Sequence, residues 1–144
     1  MTAGAAVSVR GLTKRFGREL AVDDLTFDVP AGRVVGFLGP NGSGKSTTLR
    51  MIVGLTAPTA GTALVQGVPF HDLERPAETV GSIVDGVGHH PARRAIDELR
   101  ISARAAGLPL ERCDAALELV GLGDAGCKRV GAYSLGMRQR LGIA

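Results

Sequence analysis

A glycine-rich segment directly after an apolar run constrains the fold of this chain more than any other feature of its sequence. Residues 39–46 (GPNGSGKS) fill the pattern G-x-x-x-x-G-K-[ST], and the apolar residues 34–38 precede them. The apolar residues Leu49, Ile52 and Val53 then fall on one helical face, and Gly54 stands where a C-terminal cap belongs. This order predicts a strand buried on both faces of a parallel sheet, then a tight loop, then a helix. It is the arrangement of an α/β protein.

The residues of this loop have the properties that a triphosphate site requires. Glycines let successive backbone N–H groups point inward, and the following helix adds its free N–H groups and the positive end of its dipole. Lys45 supplies a charge for the β- and γ-phosphates, and the Ser46 hydroxyl suits Mg²⁺. A glycine-rich turn without a ligand is the alternative, and the strand-loop-helix context argues against it. The predicted site for ATP and Mg²⁺ consists of Gly39, Pro40, Asn41, Gly42, Ser43, Gly44, Lys45, Ser46 and Thr47.

The composition describes one globular domain and argues against several classes of protein. The chain has 144 residues, of which 44% are hydrophobic and 22% charged, enough for a packed core. Its net charge is only +3, so a mixed-charge surface is favoured over a nucleic-acid interface. Cys113 and Cys127 lie far apart, which indicates free thiols in a reducing compartment. No secretory signal pattern and no run long enough for a membrane helix is evident, so we expect a cytosolic chain.

The other segments are interpreted as short strands followed by a pair of helices. Gly107 and Gly121 stand where the two helices end. His89 and His90 separate the strands from the helices; adjacent side chains diverge and no third ligand is evident, so a polar loop is favoured over a metal site. The predicted strands lie at residues 7–16, 25–30, 33–39, within 56–67 and at 79–85, and the predicted helices at 96–106 and 110–120.

The last residues, YSLGMRQRLGIA (133–144), predict a second anion site. Ser134 precedes a helical run and is a good N-cap, and Gly136 leaves backbone N–H groups approachable. A simple cap is the alternative interpretation of Ser134, and the phosphate loop earlier in the chain favours the anion site. Two phosphate-binding helix ends in one chain indicate head-to-tail pairing, in which two subunits share each ATP.

The same segment resembles the signature of ATP-binding-cassette (ABC) proteins, which typically reads L-S-G-G-Q followed by basic residues. Ser134, Gly136, Gln139 and Arg140 stand at matching positions, and Tyr133, Leu135 and Met137 depart from the motif. The segment Y-S-L-G-M-R-Q-R-L is similar to the signature sequence of ATP-binding cassettes that serve drug- and antibiotic-export transporters of the bacitracin-export type. The resemblance implies that the ATP of a partner subunit is contacted by Ser134, Leu135, Gly136, Met137, Arg138 and Gln139.

The resemblance covers essentially the whole chain and implies further residues of the nucleotide site. Phe16, in LTKRFG, stands where the family's aromatic residue stacks on adenine, and Val22 where a lesser packing contact lies. Asp85 ends the segment VGSIVD at the place of a glutamine that senses Mg²⁺ and the γ-phosphate. A carboxylate is a better Mg²⁺ ligand than an amide, so Ser46 and Asp85 are the predicted metal ligands.

The fold implied by the resemblance is α/β: a P-loop NTPase (ABC ATPase) core with an antiparallel β subdomain and a helical subdomain. The predicted divisions are residues 1–88 for the β subdomain and phosphate-loop core, 89–133 for the helical subdomain and 134–144 for the start of the signature helix. In the family, an Asp-Glu strand follows that helix and supplies the hydrolytic base, and this sequence stops before it. We therefore expect a core without its C-terminal part, an exposed apolar edge at residues 34–38, no catalytic residue and no ATP hydrolysis by this chain alone.

The function implied is that of the ATP-binding subunit of an ABC transporter, in which ATP binding and hydrolysis drive export of the drug or antibiotic type. The expected partners are a second nucleotide-binding subunit, paired head to tail, and a transmembrane permease that holds the subunit at the inner face of the cell membrane. Nucleic acid is not an expected partner. Two alternatives stay open: a nucleotide-binding module that does not hydrolyse ATP, and a soluble ABC ATPase without a membrane partner.

Overall fold

A computed structural model describes residues 4–84 and 88–144 of the chain. The chain divides into two compact units, residues 1–82 and 83–144. The first unit contains a β-sheet and the glycine-rich loop, and the second is built from helices and turns. The mixed α/β fold class that the sequence predicts is confirmed. No helix within the described residues is long and apolar enough to cross a bilayer.

A three-stranded antiparallel sheet forms the first unit. Strands β1 (Ala5–Phe16), β2 (Glu19–Pro30) and β3 (Ala60–Val65) pair in the order β2-β1-β3. Val9 and Leu12 of the central strand are both fully buried although they are three residues apart. The ladder between β1 and β2 shifts its register between them, and such an irregularity brings residues at odd spacing onto one face. The three strands predicted within residues 7–16, 25–30 and 56–67 are confirmed.

The helix after the glycine-rich loop, α1, spans Lys45–Ile52 and packs on all three strands. It buries Thr48, Met51 and Ile52, whose i, i+3, i+4 spacing forms one face of a helix. Leu49, predicted to lie on the buried face, is 42% exposed, so the face is rotated toward Thr48. Gly54 takes a left-handed φ of +69° and ends the helix as predicted.

Two of the predicted strands do not form, and both predictions are wrong. Residues 33–40 pair with no strand, and Val34 and Leu38 are almost fully exposed. A strand buried on both faces needs parallel neighbours for its ladder, and the sheet of the described residues is antiparallel. The apolar strand edge expected at residues 34–38 therefore does not form either, although Val34 and Leu38 are exposed apolar side chains. In the second case, Pro76–Thr79 forms a short helix (α2) and residues 80–84 are unpaired.

Helices α3 (Ala95–Ala105), α4 (Arg112–Leu119) and α5 (Leu135–Ile143) form the second unit. The two helices predicted before the signature segment are confirmed. Gly107 and Gly121 have φ of +69° and +68°, as predicted for residues that end a helix. The shared core consists of Ala95, Ile96, Cys113, Leu117, Leu122, Ala125, Val130, Tyr133 and Leu141.

The N-terminal end of α3 is held by backbone hydrogen bonds to the segment before α5. The N–H of Ala95 donates to the carbonyl of Lys128 (3.1 Å), and the N–H of Val130 donates to the carbonyl of Arg93 (2.9 Å). Because these bonds join segments more than 30 residues apart, they fix the chain that leads into Ser134.

Candidate nucleotide-binding site

Gly44, the residue that joins the loop to α1, lies directly against strand β2. Its φ is +83°, a conformation that L side chains rarely adopt. A Cβ added at Gly44 would collide with the carbonyl oxygen of Ala21 and would lie 2.9 Å from Cγ2 of Val22. The glycine is therefore required twice, for the backbone turn and for the close approach. It places the end of the loop on top of Val22, which the resemblance had assigned to the same site.

The loop itself is a compact turn stabilised by its own backbone. The N–H of Ser43 donates to the carbonyl of Pro40 (3.2 Å), and Gly42, at a φ of +82°, supplies the left-handed residue of the turn. A Cβ added at Gly39 would lie 2.6 Å from Oγ of Ser43. Contacts within the loop therefore account for Gly39, and the turn geometry for Gly42, whereas Gly44 is required by its approach to β2. The side chain of Asn41 at the tip is exposed.

Lys45 directs its ammonium group back into the loop. Its Nζ donates hydrogen bonds to the carbonyl oxygens of Gly39 (2.7 Å) and Pro40 (2.6 Å). Two carbonyl dipoles thus hold a full positive charge at the mouth of the loop. An ammonium in this position attracts the phosphate oxygens of a nucleotide, and it has a third N–H direction for donation to them.

The N-terminal end of α1 is open for a ligand. The first N–H groups of a helix have no partner inside the helix, and here no side chain caps them. Ser46 in the first turn is exposed, and Thr47 is half-buried. Uncapped N–H groups, a lysine and a serine hydroxyl together fit the phosphates of a nucleotide with its Mg²⁺.

The metal ligands predicted from the sequence are only partly within the described residues. Asp85 lies outside them, so the structure does not bear on its role. No group of three His, Cys, Asp or Glu side chains among residues 4–84 and 88–144 could hold a metal ion by itself. Proteins commonly bind Mg²⁺ through one or two of their own oxygens and the phosphates of a substrate, and the Ser46 hydroxyl fits that mode. His90, in the segment before α3, donates its backbone N–H to the Glu98 carboxylate of that helix (2.9 Å).

Beside the phosphate loop, the sheet presents an exposed aromatic ring. Phe16 ends strand β1 and is 52% exposed, unlike the buried Val22. The ammonium of Lys14 lies 5.0 Å from the centre of the Phe16 ring. Sequence reasoning had found both apolar residues through the resemblance but had missed Lys14. The spacing of two residues along a strand was the available signal, since it places both side chains on one face.

In the second unit, α5 begins as the sequence predicts. Oγ of Ser134 accepts a hydrogen bond from the N–H of Met137 (3.2 Å), which makes Ser134 the N-cap. Gly136 is exposed, and a Cβ added there would have no neighbour within 4 Å. The N-cap bond occupies one of the first-turn donors, and the exposed Gly136 leaves the others approachable.

The six predicted signature residues divide into an outward and an inward group. Met137 packs against the core of the unit, and the guanidinium of Arg138 donates to the carbonyl of Tyr133 (2.9 Å). These two side chains position the helix. The exposed residues, which a ligand or partner can reach, are Ser134, Leu135, Gly136 and Gln139.

Tyr133 anchors the start of α5. Its hydroxyl donates a 2.8 Å hydrogen bond to the carbonyl of Ala125, and the side chain is buried. Burial raises the pKa of the Tyr133 phenol, and the nearby charge of Arg140 opposes this with a smaller effect. The same Arg140 donates to the carbonyls of Val120 and Gly121 at the end of α4. The residue before the N-cap is therefore fixed by a buried bond.

The family model described as ABC transporter matches residues 22–144 of the chain. The bacitracin transport ATP-binding protein BcrA of Bacillus licheniformis is 41% identical over 140 residues, which cover 96% of this chain and 46% of that protein. The daunorubicin/doxorubicin resistance ATP-binding protein DrrA of Streptomyces peucetius is 40% identical over 147 residues, which cover 96% of this chain and 44% of that protein.

A solved structure, described as the ATP-binding subunit of an ABC transporter, has the same fold. It superposes with a TM-score of 0.78 at 27% sequence identity and covers 96% of this chain and 60% of that one. The chain spans about half the length of the curated relatives that it matches.

Proposed function

The chain belongs to the ABC transporter family, and from this we propose that it is the ATP-binding part of a transporter's motor subunit. The observation that carries the proposal is the position of Lys45. Its ammonium is held by the carbonyls of Gly39 and Pro40 at the mouth of a loop that opens into an uncapped helix. Such a site suits a ligand with several negative oxygens.

In the proposed complex, each part of the nucleotide meets a different part of the first unit. The N–H groups at the start of α1 and the Lys45 ammonium bind the phosphates, and the Ser46 hydroxyl binds Mg²⁺. The exposed Phe16 ring stacks on adenine, and Val22 packs beneath Gly44 at the side of the loop. Asp85 is proposed as a further metal ligand on its residue type and its place in the sequence.

We propose that this chain alone binds ATP without hydrolysing it at a useful rate. Residues 39–47 supply donors, a lysine and hydroxyl groups, but no carboxylate or imidazole that could act as a general base. Binding phosphates does not by itself position an attacking water. Phosphate release by the purified chain that Lys45→Ala abolishes would overturn this part of the proposal.

For the whole protein, we propose export of a drug or antibiotic through a transmembrane permease, at the inner face of the cell membrane. Support comes from relatives whose names refer to bacitracin transport and to daunorubicin and doxorubicin resistance. Deleting the gene should raise the accumulation of such a compound in the host cell. Unchanged accumulation of both peptide antibiotics and anthracyclines would contradict the export proposal.

The binding proposal is tested by titrating a fluorescent ATP analogue with the 144-residue chain in the presence of Mg²⁺. Wild type should bind, and Lys45→Ala should lose at least tenfold in affinity, because a charged donor to the phosphates is removed. Lys128→Ala is the matched control, since it removes an exposed lysine of the second unit. Equal affinity of wild type and Lys45→Ala would contradict the assignment.

We further propose that the exposed residues at the start of α5 act on the ATP of a second subunit. Sedimentation of the chain with and without MgATP tests this, and association should depend on the nucleotide. Lys45→Ala and Ser134→Arg should each reduce it, whereas their equimolar mixture retains one intact composite site and should recover part of it. Nucleotide-independent association, or no recovery in the mixture, would count against sharing.

A further inference from the structure

We propose that Lys14 is a positioning residue for the base of the bound nucleotide: it holds the Phe16 ring and places a positive charge on one of its faces. The inference rests on the proposed ATP site and adds a residue to it. Nζ of Lys14 lies 5.0 Å from the ring centre. This is within the range of about 6 Å in which a cation is attracted to the electron-rich face of an aromatic ring.

The ammonium of Lys14 is fixed from its other side by backbone. Nζ donates a 2.6 Å hydrogen bond to the carbonyl of Ala57, in the turn between α1 and β3. That turn is itself tied to β1, because Thr59 donates its N–H to the carbonyl of Thr13 (2.8 Å). The Thr59 hydroxyl in turn accepts the N–H of Arg15 (3.0 Å). A side chain that is usually mobile therefore has one defined position.

Lys14 also lies beside the phosphate loop. It is paired with Val22 across the β1–β2 ladder, and paired residues share one face of a sheet. Val22 is the residue against which Gly44 packs at the end of the loop. The phosphate loop therefore contacts Val22, Val22 is paired with Lys14, and Lys14 contacts Phe16. This order places the lysine between the proposed phosphate site and the ring on which the base is proposed to stack.

The expected effect on binding follows from the ring's charge distribution. A cation on one face of Phe16 draws electron density toward itself, so that the opposite face becomes a better partner for an electron-rich purine. The same contact limits rotation of a ring that is otherwise half exposed, and this reduces the entropy lost when a base stacks on it. Both effects act on the base, so the contribution of Lys14 should require a ligand that has one.

Calorimetric titration of the 144-residue chain with MgATP and with magnesium tripolyphosphate tests this requirement. Lys14→Met should weaken MgATP binding roughly three- to tenfold and leave tripolyphosphate binding unchanged. Lys14→Arg, which keeps the charge, should retain most of the affinity. In a Phe16→Ala background, Lys14→Met should have no further effect. Lys128→Ala is the control and should alter neither titration.

Three results would overturn the inference. Unchanged MgATP affinity in Lys14→Met would show that the contact does not serve the base. An equal loss for both ligands, with an unchanged melting temperature, would show that Lys14 binds phosphate. A gain in MgATP affinity would show that the ammonium occupies the face that the base needs. Failure of the ATP proposal is distinct, because wild type would then fail to bind MgATP, or Lys45→Ala would bind it equally well.

Discussion

The Lys45 ammonium donates a 2.7 Å hydrogen bond to the carbonyl of Gly39, six residues earlier. This bond joins the two ends of the phosphate loop. The charge is held at the loop mouth by local backbone before any ligand arrives. A loop of this kind depends on glycines at defined positions rather than on a buried core.

Gly44→Ala should destabilise the first unit and abolish ATP binding. The new Cβ would meet the carbonyl of Ala21 and Cγ2 of Val22, and the φ of +83° is strained for alanine. Strain and collision together should cost about 2 kcal/mol or more in the free energy of unfolding. Urea denaturation and ATP titration measure the two effects.

Gly42→Ala is the matched control for this change. Gly42 has nearly the same φ, +82°, but a Cβ there has no neighbour within 4 Å. It should therefore cost only the backbone strain, about 1 kcal/mol. Equal destabilisation by both variants would contradict the role given to the contact with β2.

Ser134→Ala and Gly136→Ala should change stability in opposite directions. Removing the N-cap bond to Met137 should cost about 1 kcal/mol. Alanine at Gly136 meets nothing within 4 Å and should stabilise α5 by roughly 0.5 to 1 kcal/mol. Chemical denaturation measures both changes.

Gly136→Ala also separates a structural from a functional role of the segment. If the backbone N–H groups at this helix end approach the nucleotide of a partner, the added methyl group should reduce MgATP-dependent association although the fold is more stable. A more stable variant with wild-type association would leave Gly136 without a binding role.

Tyr133→Phe should destabilise the second unit by roughly 1 to 2 kcal/mol, because the buried carbonyl of Ala125 loses its partner. The variant should also change the alkaline limit of stability. Burial raises the pKa of the Tyr133 phenol above its ordinary 10.0. The contribution of the protonated Tyr133 hydroxyl to the free energy of unfolding is therefore present below pH 10 and is lost as the pH rises through the folded-state pKa.

Melting temperatures at pH 8 to 11 test this dependence. The fall above pH 10 should be smaller in Tyr133→Phe than in wild type, since the phenol that titrates is gone. Parallel curves for the two proteins would show that the buried hydroxyl does not set the alkaline limit.

Asp97→Asn should weaken the response of the second unit to acid. Hydrogen bonds from Arg94 (2.7 and 3.2 Å) hold the pKa of the Asp97 carboxyl below its ordinary 3.8. A carboxyl whose pKa is lowered by folding stabilises the folded state at pH values above its unfolded-state pKa. This stabilisation is lost as the pH falls through the folded-state pKa. Melting temperatures between pH 6 and 2 should therefore fall less in the variant.

Arg94→Gln is the partner control, because it removes the same ion pair from the other side. The double variant should show no more change in acid dependence than either single one. Additive changes would mean that the two side chains act separately.

Residues that act through their neighbours in the sequence were predicted correctly. Gly54, Gly107 and Gly121 end helices, and Ser134 begins one, because caps depend on the backbone of a few adjacent residues. The phosphate loop belongs to the same group. Its turn and its lysine make their contacts within residues 39–45, whereas Gly44 also packs against β2.

Strands and side-chain contacts between distant segments were predicted less well. The apolar residues 33–39 have the pattern of a buried strand, yet a strand forms only where another supplies its ladder. Leu49 fits a helical face by spacing, but the strands packed against α1 decide which face is covered. In both cases the pattern describes one side of an interaction that needs two.

The sequence by itself therefore determined the phosphate loop, the helix ends and the family, since these depend on residue types at short, defined spacings. Only the tertiary structure decided that Gly44 packs against Ala21, and that the Lys14 ammonium lies between the Ala57 carbonyl and the Phe16 ring. The reason is physical. The Gly44–Ala21 and Lys14–Ala57 contacts join segments that are 23 and 43 residues apart, and their geometry exists only after the sheet has set its register.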